Sequence, residues 1–550
     1  MSSMEIPLHI GIGKTKADSI ILVWPDNTYQ YIKTDSMNHN LDIVWKKGLP
    51  VFNYQAITDY FKPLSKPMTD ITLAAKVNYV HEENDFNEFN RELLLPKMFG
   101  SEGPALAVAD VNADGLEDIF IGSSKWKTSV LFFQNKNGTF SKSFQPEFTL
   151  DSTFEDVDAG FADVNNDGFP DLVVASGGNE YYSNEEWRQP RIYLNDGKGN
   201  MKKSANAFPA IYQTQSCIKY CDFNKDGFVD LFIGARATPF QYGKIPTSYL
   251  LQNDGKGHFT DVTNLLATGL SGIGFVTNAS WVDINKDDQP DLIVSLEWGG
   301  IEAFIYDKGK FIKKELTNKS GWWNFILPVD IDMDGDIDFI AGNQGQNNVF
   351  QPTVNEPIRM YYNDFDDNGT KEQIVTYYQQ GVEIPMATKM DMEKQMPFIK
   401  KKYLYAGDFS KASLSDIFTA NKLNGSAIFT ANYFSNAVLI NDGKGNFSVK
   451  ELPWQAQLSC LKDAAVIDAN GDNLPDILTG GNFYEQAMPL NRNDADYGTI
   501  LINKGNGNFI AGNINGIIIK NQLRHIQPII INKKKAFVIA RNNDALMIIQ

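Results

Sequence analysis

Short apolar runs of strand length, each broken by an acidic turn, recur along most of this chain. ALAVAD ends at Asp110 and DIFIG resumes at Asp118, and DLVVA, DLFIG, DLIVS, DFIAG and DILTG follow later loops in the same way. Apolar runs bounded by turn residues predict strands, and none approaches the length of a membrane span. A second punctuation mark lies downstream of the loops: LNDGKGN from Leu194, QNDGKGHF from Gln252, INDGKGNF from Ile440 and INKGNGNF from Ile502. Asp-Gly and Gly-rich pairs between apolar runs predict hairpin turns. One unit therefore holds four strands, with the acidic loop between the first two, a long connection between the middle two and the Gly turn between the last two.

The units start about 47 to 78 residues apart, a spacing that suits propeller blades rather than helical repeats. The expected fold class is all-β. A β-propeller of four-stranded antiparallel blades is expected over residues 76–550, after a small β segment over 1–50 and a linker over 51–75. Eight blades is the preferred count and seven the alternative. The eighth comes from a degenerate unit, with Asp408 and Asp416 at the outer ligand positions but Ser410 and Ala412 between them, taken as a blade without metal. HIQPIII, AFVIAR and ALMIIQ supply the last blade, and KVNYVH at Lys76–His81 is expected to complete it from outside. Closure of the ring removes exposed sheet edges.

The acidic loops align residue by residue. The first reads Asp110, Asn112, Asp114 and Asp118; the second Asp163, Asn165, Asp167 and Asp171; the third Asp222, Asn224, Asp226 and Asp230. The fourth has Asp283, Asn285, Asp287 and Asp291, the fifth Asp330, Asp332, Asp334 and Asp338, the last Asp468, Asn470, Asp472 and Asp476. Position six is Gly in four loops and Asp288 or Asn473 in the others, the residue types that best tolerate left-handed backbone. Side chains at positions one, three, five and nine give oxygen ligands. A carbonyl at position seven adds one more, from Leu116, Phe169, Phe228, Gln289, Asp336 or Leu474. An all-oxygen set without His or Cys selects hard cations, and the flexible loop favours calcium. Several calcium ions are the expected cofactors. An Asp-rich Asx-turn accounts for one such loop, but not for six in register. The fifth loop also carries Asp336, and its five carboxylates repel one another strongly without a cation.

A seventh stretch, NDFDDNGTKE, places Asp364, Asp366, Asn368 and Glu372 at the same spacing, but between the third and fourth strands of the long fifth unit. It reads either as an acidic hairpin turn or as a further cation site.

The net charge of −17 argues against a nucleic-acid partner. The six loops hold more carboxylates than that, so the acidity belongs to metal sites rather than to a surface for polycations. Three cysteines are too few for a disulfide scaffold, and Cys217 and Cys221, on one strand, are too far apart to bridge.

Loops of the form Asp-x-Asn-x-Asp-Gly-x-x-Asp between such strands resemble the FG-GAP (VCBS-type) repeats of integrin α-subunit propellers and their bacterial relatives. The stretch HIGIGKTKADSIILVWPDNTYQYIK, His9 to Lys33, is similar to the latter half of an ASPIC/UnbV domain. The resemblance implies that the chain starts inside that domain, and that its lack of a signal peptide carries no information. It also implies adhesion or glycan capture, outside the cell or in its envelope.

Because consecutive strands reverse direction, the long connections lie on the face opposite the acidic loops. They carry Trp126, Tyr181, Trp187, Arg188, Arg236, Tyr242, Trp298, Trp322, Trp323, Trp454, Tyr484 and Arg492. Aromatic rings among Asn, Gln, Arg and Glu suit sugar stacking or protein anchoring, so this is the expected ligand face for a glycan or protein. The expected protein is a monomeric, calcium-stabilised binding module without a transmembrane segment. Two other classes stay open: a polysaccharide lyase-like enzyme on the same scaffold, and an architectural module of a longer surface protein. No catalytic residue is assigned.

Overall fold

The computed structural model describes residues 19–33, 41–55, 64–181 and 186–550, and it is built almost wholly of antiparallel sheets. The chain divides into two compact units, Met1–Pro63 and Leu64–Gln550. In the first, Ile20–Val23 pairs with Tyr29–Ile32 as a hairpin. The part of the ASPIC/UnbV-like stretch before Ser19 and part of the expected linker lie outside the described residues. The second unit begins at Leu64, so residues 64–75, expected as linker, belong with the propeller.

In the second unit, the first blade pairs Leu106–Ala109, Asp118–Ile121, Val130–Gln134 and Phe140–Ser143 in that order. Further blades start from Asp156–Ala162, Thr214–Cys221, Phe275–Val282, Phe325–Val329, Leu461–Ile467 and Gln522–Ile531. These seven innermost strands touch one another in sequence, and the last touches the first. Each neighbouring pair of blades also shares one apolar cluster. Ile119, Val130 and Phe132 of the first blade, for example, meet Ile529, Val538 and Ile548 of the last. Among the described residues the ring therefore has seven blades, not the preferred eight.

Two local readings are corrected with it. The unit around Asp408 and Asp416 is not a blade, because these residues lie in the short helices Ala406–Phe409 and Leu414–Ile417. Ser413 and Asp416 there form a capping box, the local use of a Ser-x-x-acid spacing. The closing strand also lies earlier than expected. Asp70 bridges to Ile549, the Ile71 amide donates to the Ile548 carbonyl (2.9 Å), and within Lys76–His81 only Val80 is bridged, to Ala545.

The fifth blade is interrupted between its second strand, Asp338–Gly342, and its third, Ala437–Asn441. Into that gap fits a separate four-stranded sheet of Val382–Pro385, Glu372–Gln379, Ile358–Asn363 and Ala427–Ala431. Five helices of four to seven residues lie between Lys389 and Asn424. Helices that short are stable only through packing, and Met392, Met396, Ile399, Phe409, Leu414 and Phe418 bury together to supply it.

Candidate metal centres and the opposite face

The first four loops share one set of amide contacts, and the fifth and sixth keep part of it. In the first, the Asp114 amide donates to Asp110 Oδ1 (3.2 Å) and Asn112 Oδ1 (3.1 Å), and the Gly115 amide to Asp110 Oδ2 (2.8 Å). The Leu116 amide donates to Asp114 Oδ1 (2.9 Å). The same position-seven contact recurs at Phe169, Phe228, Gln289, Asp336 and Leu474. Position six is left-handed throughout: Gly115 has φ +83°, Asp288 +64° and Asn473 +66°. The sequence reading missed that position four is left-handed too. Ala113, Lys225 and Met333 have φ of +57°, +58° and +60°, a conformation that costs energy in residues with a Cβ.

Position nine is the buried end of each loop. Asp118 opens the second strand of its blade and accepts from the Val111 amide (3.1 Å) and from the Gln134 amide of the third strand (2.8 Å). Asp171, Asp291, Asp338 and Asp476 repeat this two-amide grip. Burial, reinforced by the neighbouring loop carboxylates, pushes Asp118 and Asp230 up to about 7 and Asp171, Asp291 and Asp338 up to about 6. Such loops hold negative charge where it is expensive.

Local donors offset part of that cost. In four loops the Asn at position three donates Nδ2 to the Asp at position five, as from Asn165 to Asp167 Oδ2 (2.8 Å). Asp332 replaces that Asn in the fifth loop and brings no donor. There Asp330 Oδ1 and Asp332 Oδ1 are buried without a hydrogen-bond partner, and Lys286 of the preceding loop pairs with Asp336. One oxygen each of Asp330, Asp332 and Asp338 lies within 4.8 Å of the others, as do those of Asp468, Asp472 and Asp476. An all-oxygen donor set with orphaned buried oxygens fits a hard divalent cation.

The Gly turns share the face of the loops and tie the blades together there. Asn195 of the second blade donates Nδ2 to the Val111 carbonyl in the first blade's loop (2.8 Å). Asn253, Asn441 and Asn503 reach Val164, Ile284 and Ile331 in the same way. Each loop so gripped is held by its own blade and by the next.

The opposite face differs from expectation. Trp298, Trp322 and Tyr242 are buried under the inserted sheet, packed with Phe99, Phe350 and Met360. Trp298 Nε1 donates to the Tyr242 hydroxyl (2.6 Å). Trp323 packs between the fourth and fifth blades with Ile293 and Phe339. Arg188 and Arg236 are buried as well, and Arg236 pairs with Glu297. These six side chains present no surface to a ligand. Exposed at this face are Trp126, at 66%, and Trp454. Tyr181 stacks on Trp187 (centroids 5.0 Å apart), and Lys125 Nζ lies 4.6 Å from the Trp126 ring centroid and 4.1 Å from that of Tyr181. Arg492 lies 3.4 Å from the Tyr484 ring centroid in a separate group.

A segment absent from the sequence reading fills the centre of that face. Lys97 Nζ bonds Glu297 of the fourth blade (2.6 Å), Glu102 bonds Lys462 of the sixth (3.0 Å), and the Ser101 carbonyl accepts from Arg524 of the seventh (3.0 Å). Against the cost of burial, Arg236 and Lys97 hold Glu297 at about 2. On the axis lies a cavity of about 540 Å³ lined by Asp158, Lys219, Trp281, Asp463 and His525, with Lys219 paired to Asp158 (2.8 Å). Polar residues at inward positions of DVDAGFA and LKDAAVI were the signal for it. His81 is buried, and burial and the Arg524 charge hold it at about 3. His258 is exposed in a Gly turn on the loop face.

The FG-GAP-like repeat family matches residues 110–174, 163–233 and 222–294, and the ASPIC and UnbV family matches residues 1–50. Integrin alpha-6 of Gallus gallus is 32% identical over 101 residues, 16% of this chain and 9% of that protein. Integrin alpha-6 of Homo sapiens is 28% identical over 160 residues, 26% of this chain and 14% of that protein. Among solved structures, YCF48 from Cyanidioschyzon merolae aligns over 83% of this chain and 98% of its own, at 8% identity and a TM-score of 0.38. Sqt1 from Saccharomyces cerevisiae aligns over 86% and 99%, at 9% identity and 0.38. Residues 110–294 of this chain thus carry FG-GAP-like repeats similar to those of integrin α chains, and residues 1–50 match ASPIC and UnbV, while the chain spans only about a tenth of the length of the curated relatives it matches.

Proposed function

We propose that this protein is a calcium-stabilised binding module that works outside the cell or in its envelope and recognises a glycan or protein ligand. The observation that carries the reading is the orphaned pair Asp330 Oδ1 and Asp332 Oδ1 in a loop whose donors are all oxygen. Four of the six loops sit where consecutive blades are tied, so calcium would hold the ring and leave the opposite face to bind. The surface for the ligand is the exposed Trp126 ring with the half-buried Tyr181 and Trp187 beside it, over a buried Lys125 paired with Glu180 (2.6 Å). An exposed indole beside a cation and a stacked aromatic pair offers apolar area at low entropic cost, as sugar rings and protein anchors both require. Calcium titration by calorimetry, then glycan-array and protein-array binding of wild type and Trp126→Ala, tests it. Binding of several calcium ions, and array signals lost in the variant, are the expected results. No calcium uptake at millimolar concentration would overturn the metal reading, and array signals unchanged in the variant would overturn the surface.

A further inference from the structure

The loop from Asp364 to Glu372 repeats the blade loops outside any blade. It joins Ile358–Asn363 to Glu372–Gln379 within the inserted sheet. The Asn368 amide donates to Asp364 Oδ1 (3.2 Å) and Asp366 Oδ1 (3.3 Å), and the Gly369 amide to Asp364 Oδ2 (2.9 Å). The Thr370 amide donates to Asn368 Oδ1 (2.7 Å), and the Phe365 amide to Glu372 Oε2 (2.9 Å). Asp367 and Gly369, at positions four and six, are left-handed at φ +62° and +86°.

Shared geometry alone describes a turn. The further observation is Glu372 itself, which is 1% exposed with its Oε1 buried and without a hydrogen bond. One oxygen each of Glu372, Asp364 and Asp366 lies within 4.8 Å of the others. Gln395, on the helix Lys389–Gln395, faces the same carboxyl. Lys422 is nearby, but its Nζ goes to the Asp364 carbonyl (2.6 Å) and to Asp367 Oδ1 rather than to the carboxylates of positions one, three and nine. A buried carboxylate oxygen facing two other carboxylates needs a cation or a proton.

We infer that Asp364, Asp366, Asn368 and Glu372 hold a divalent cation, of the calcium class, separate from the ring sites. The inference rests on the reading that loops of this pattern bind calcium. Its consequence is local. Phe365, inside the loop, packs on Phe418 with ring centroids 4.3 Å apart, and Lys422 comes from the helix Ala420–Asn424. The ion fixes the hairpin against which the short helices of the insert assemble, and those helices lie beside the sheet that covers Trp298 and Trp322.

Native mass spectrometry of the full chain in calcium counts the ions. Glu372→Gln keeps the side chain's shape and removes its charge, and Asp366→Asn is the second variant should the first fold poorly. The expected result is one calcium fewer per chain than wild type, with faster proteolysis between Lys389 and Asn424. An unchanged count would overturn the inference and leave the ring reading standing. A wild type that binds no calcium at all would remove both.

Discussion

The two faces of the propeller are built on opposite principles. On the loop face, one nine-residue pattern recurs, and every copy takes the same position-seven amide contact, left-handed positions and buried terminal Asp. On the other face nothing repeats. The inserted sheet and the segment around Lys97 cover it with single-use contacts, among them the buried Lys97–Glu297–Arg236 group. Repetition was readable because each loop satisfies its own backbone within nine residues. Contacts between Lys97 and Glu297, 200 positions apart, leave no local trace.

The difference can be sharpened by substitution. The largest effect is expected under the insert. Trp322→Ala empties a site that is 1% exposed, and should cost about 3–5 kcal/mol, read as a lower denaturant midpoint. A midpoint shift under about 1 kcal/mol would mean that the insert does not pack there. Next in size is the tie between blades. Asn503→Ala removes the donor to the Ile331 carbonyl and should cost about 1–3 kcal/mol, with calcium affinity lowered in the fifth loop. The smallest stability change is expected at Trp126→Ala, within about 0.5 kcal/mol because the ring is exposed, while ligand binding is lost.

Acid separates the faces in another way. Asp118 and Asp230 titrate at about 7 in the calcium-free fold, above the ordinary carboxylate range, whereas Glu297 stays ionised down to about 2. A carboxyl raised in the native state binds more protons folded than unfolded, so the calcium-free chain gains stability as pH falls from about 7 towards 5. Protons compete with calcium over the same window. Calcium affinity is therefore expected to weaken as pH drops from 7 to 5 while the fold, followed by far-ultraviolet circular dichroism, persists.

How much of this was legible divides along the same line. The four-stranded unit, the positions of the acidic loops and the hairpin turns could all be read from spacing. The Asn of the LND, QND and IND turns was visible as a turn residue, but not as the donor that ties one blade to the loop of the one before. The count of eight failed at Asp408 and Asp416, which lie in two short helices, Asp416 in a capping box with Ser413, instead of flanking a strand pair. Of the residues expected to form a ligand surface, Trp298, Trp322, Trp323, Tyr242, Arg188 and Arg236 are buried, because sequence shows which loops carry tryptophan but not what packs over them.

The most direct measurement is a pair of thermal melts of the whole chain, one in millimolar calcium and one in excess EDTA. A single site at 100 times its dissociation constant adds about 2.7 kcal/mol, roughly 3 °C in Tm for a domain of this size. The expected result is a Tm lower by at least that amount in EDTA and restored by added calcium. Superimposable melts would contradict the claim that cations held by these carboxylates brace the ring.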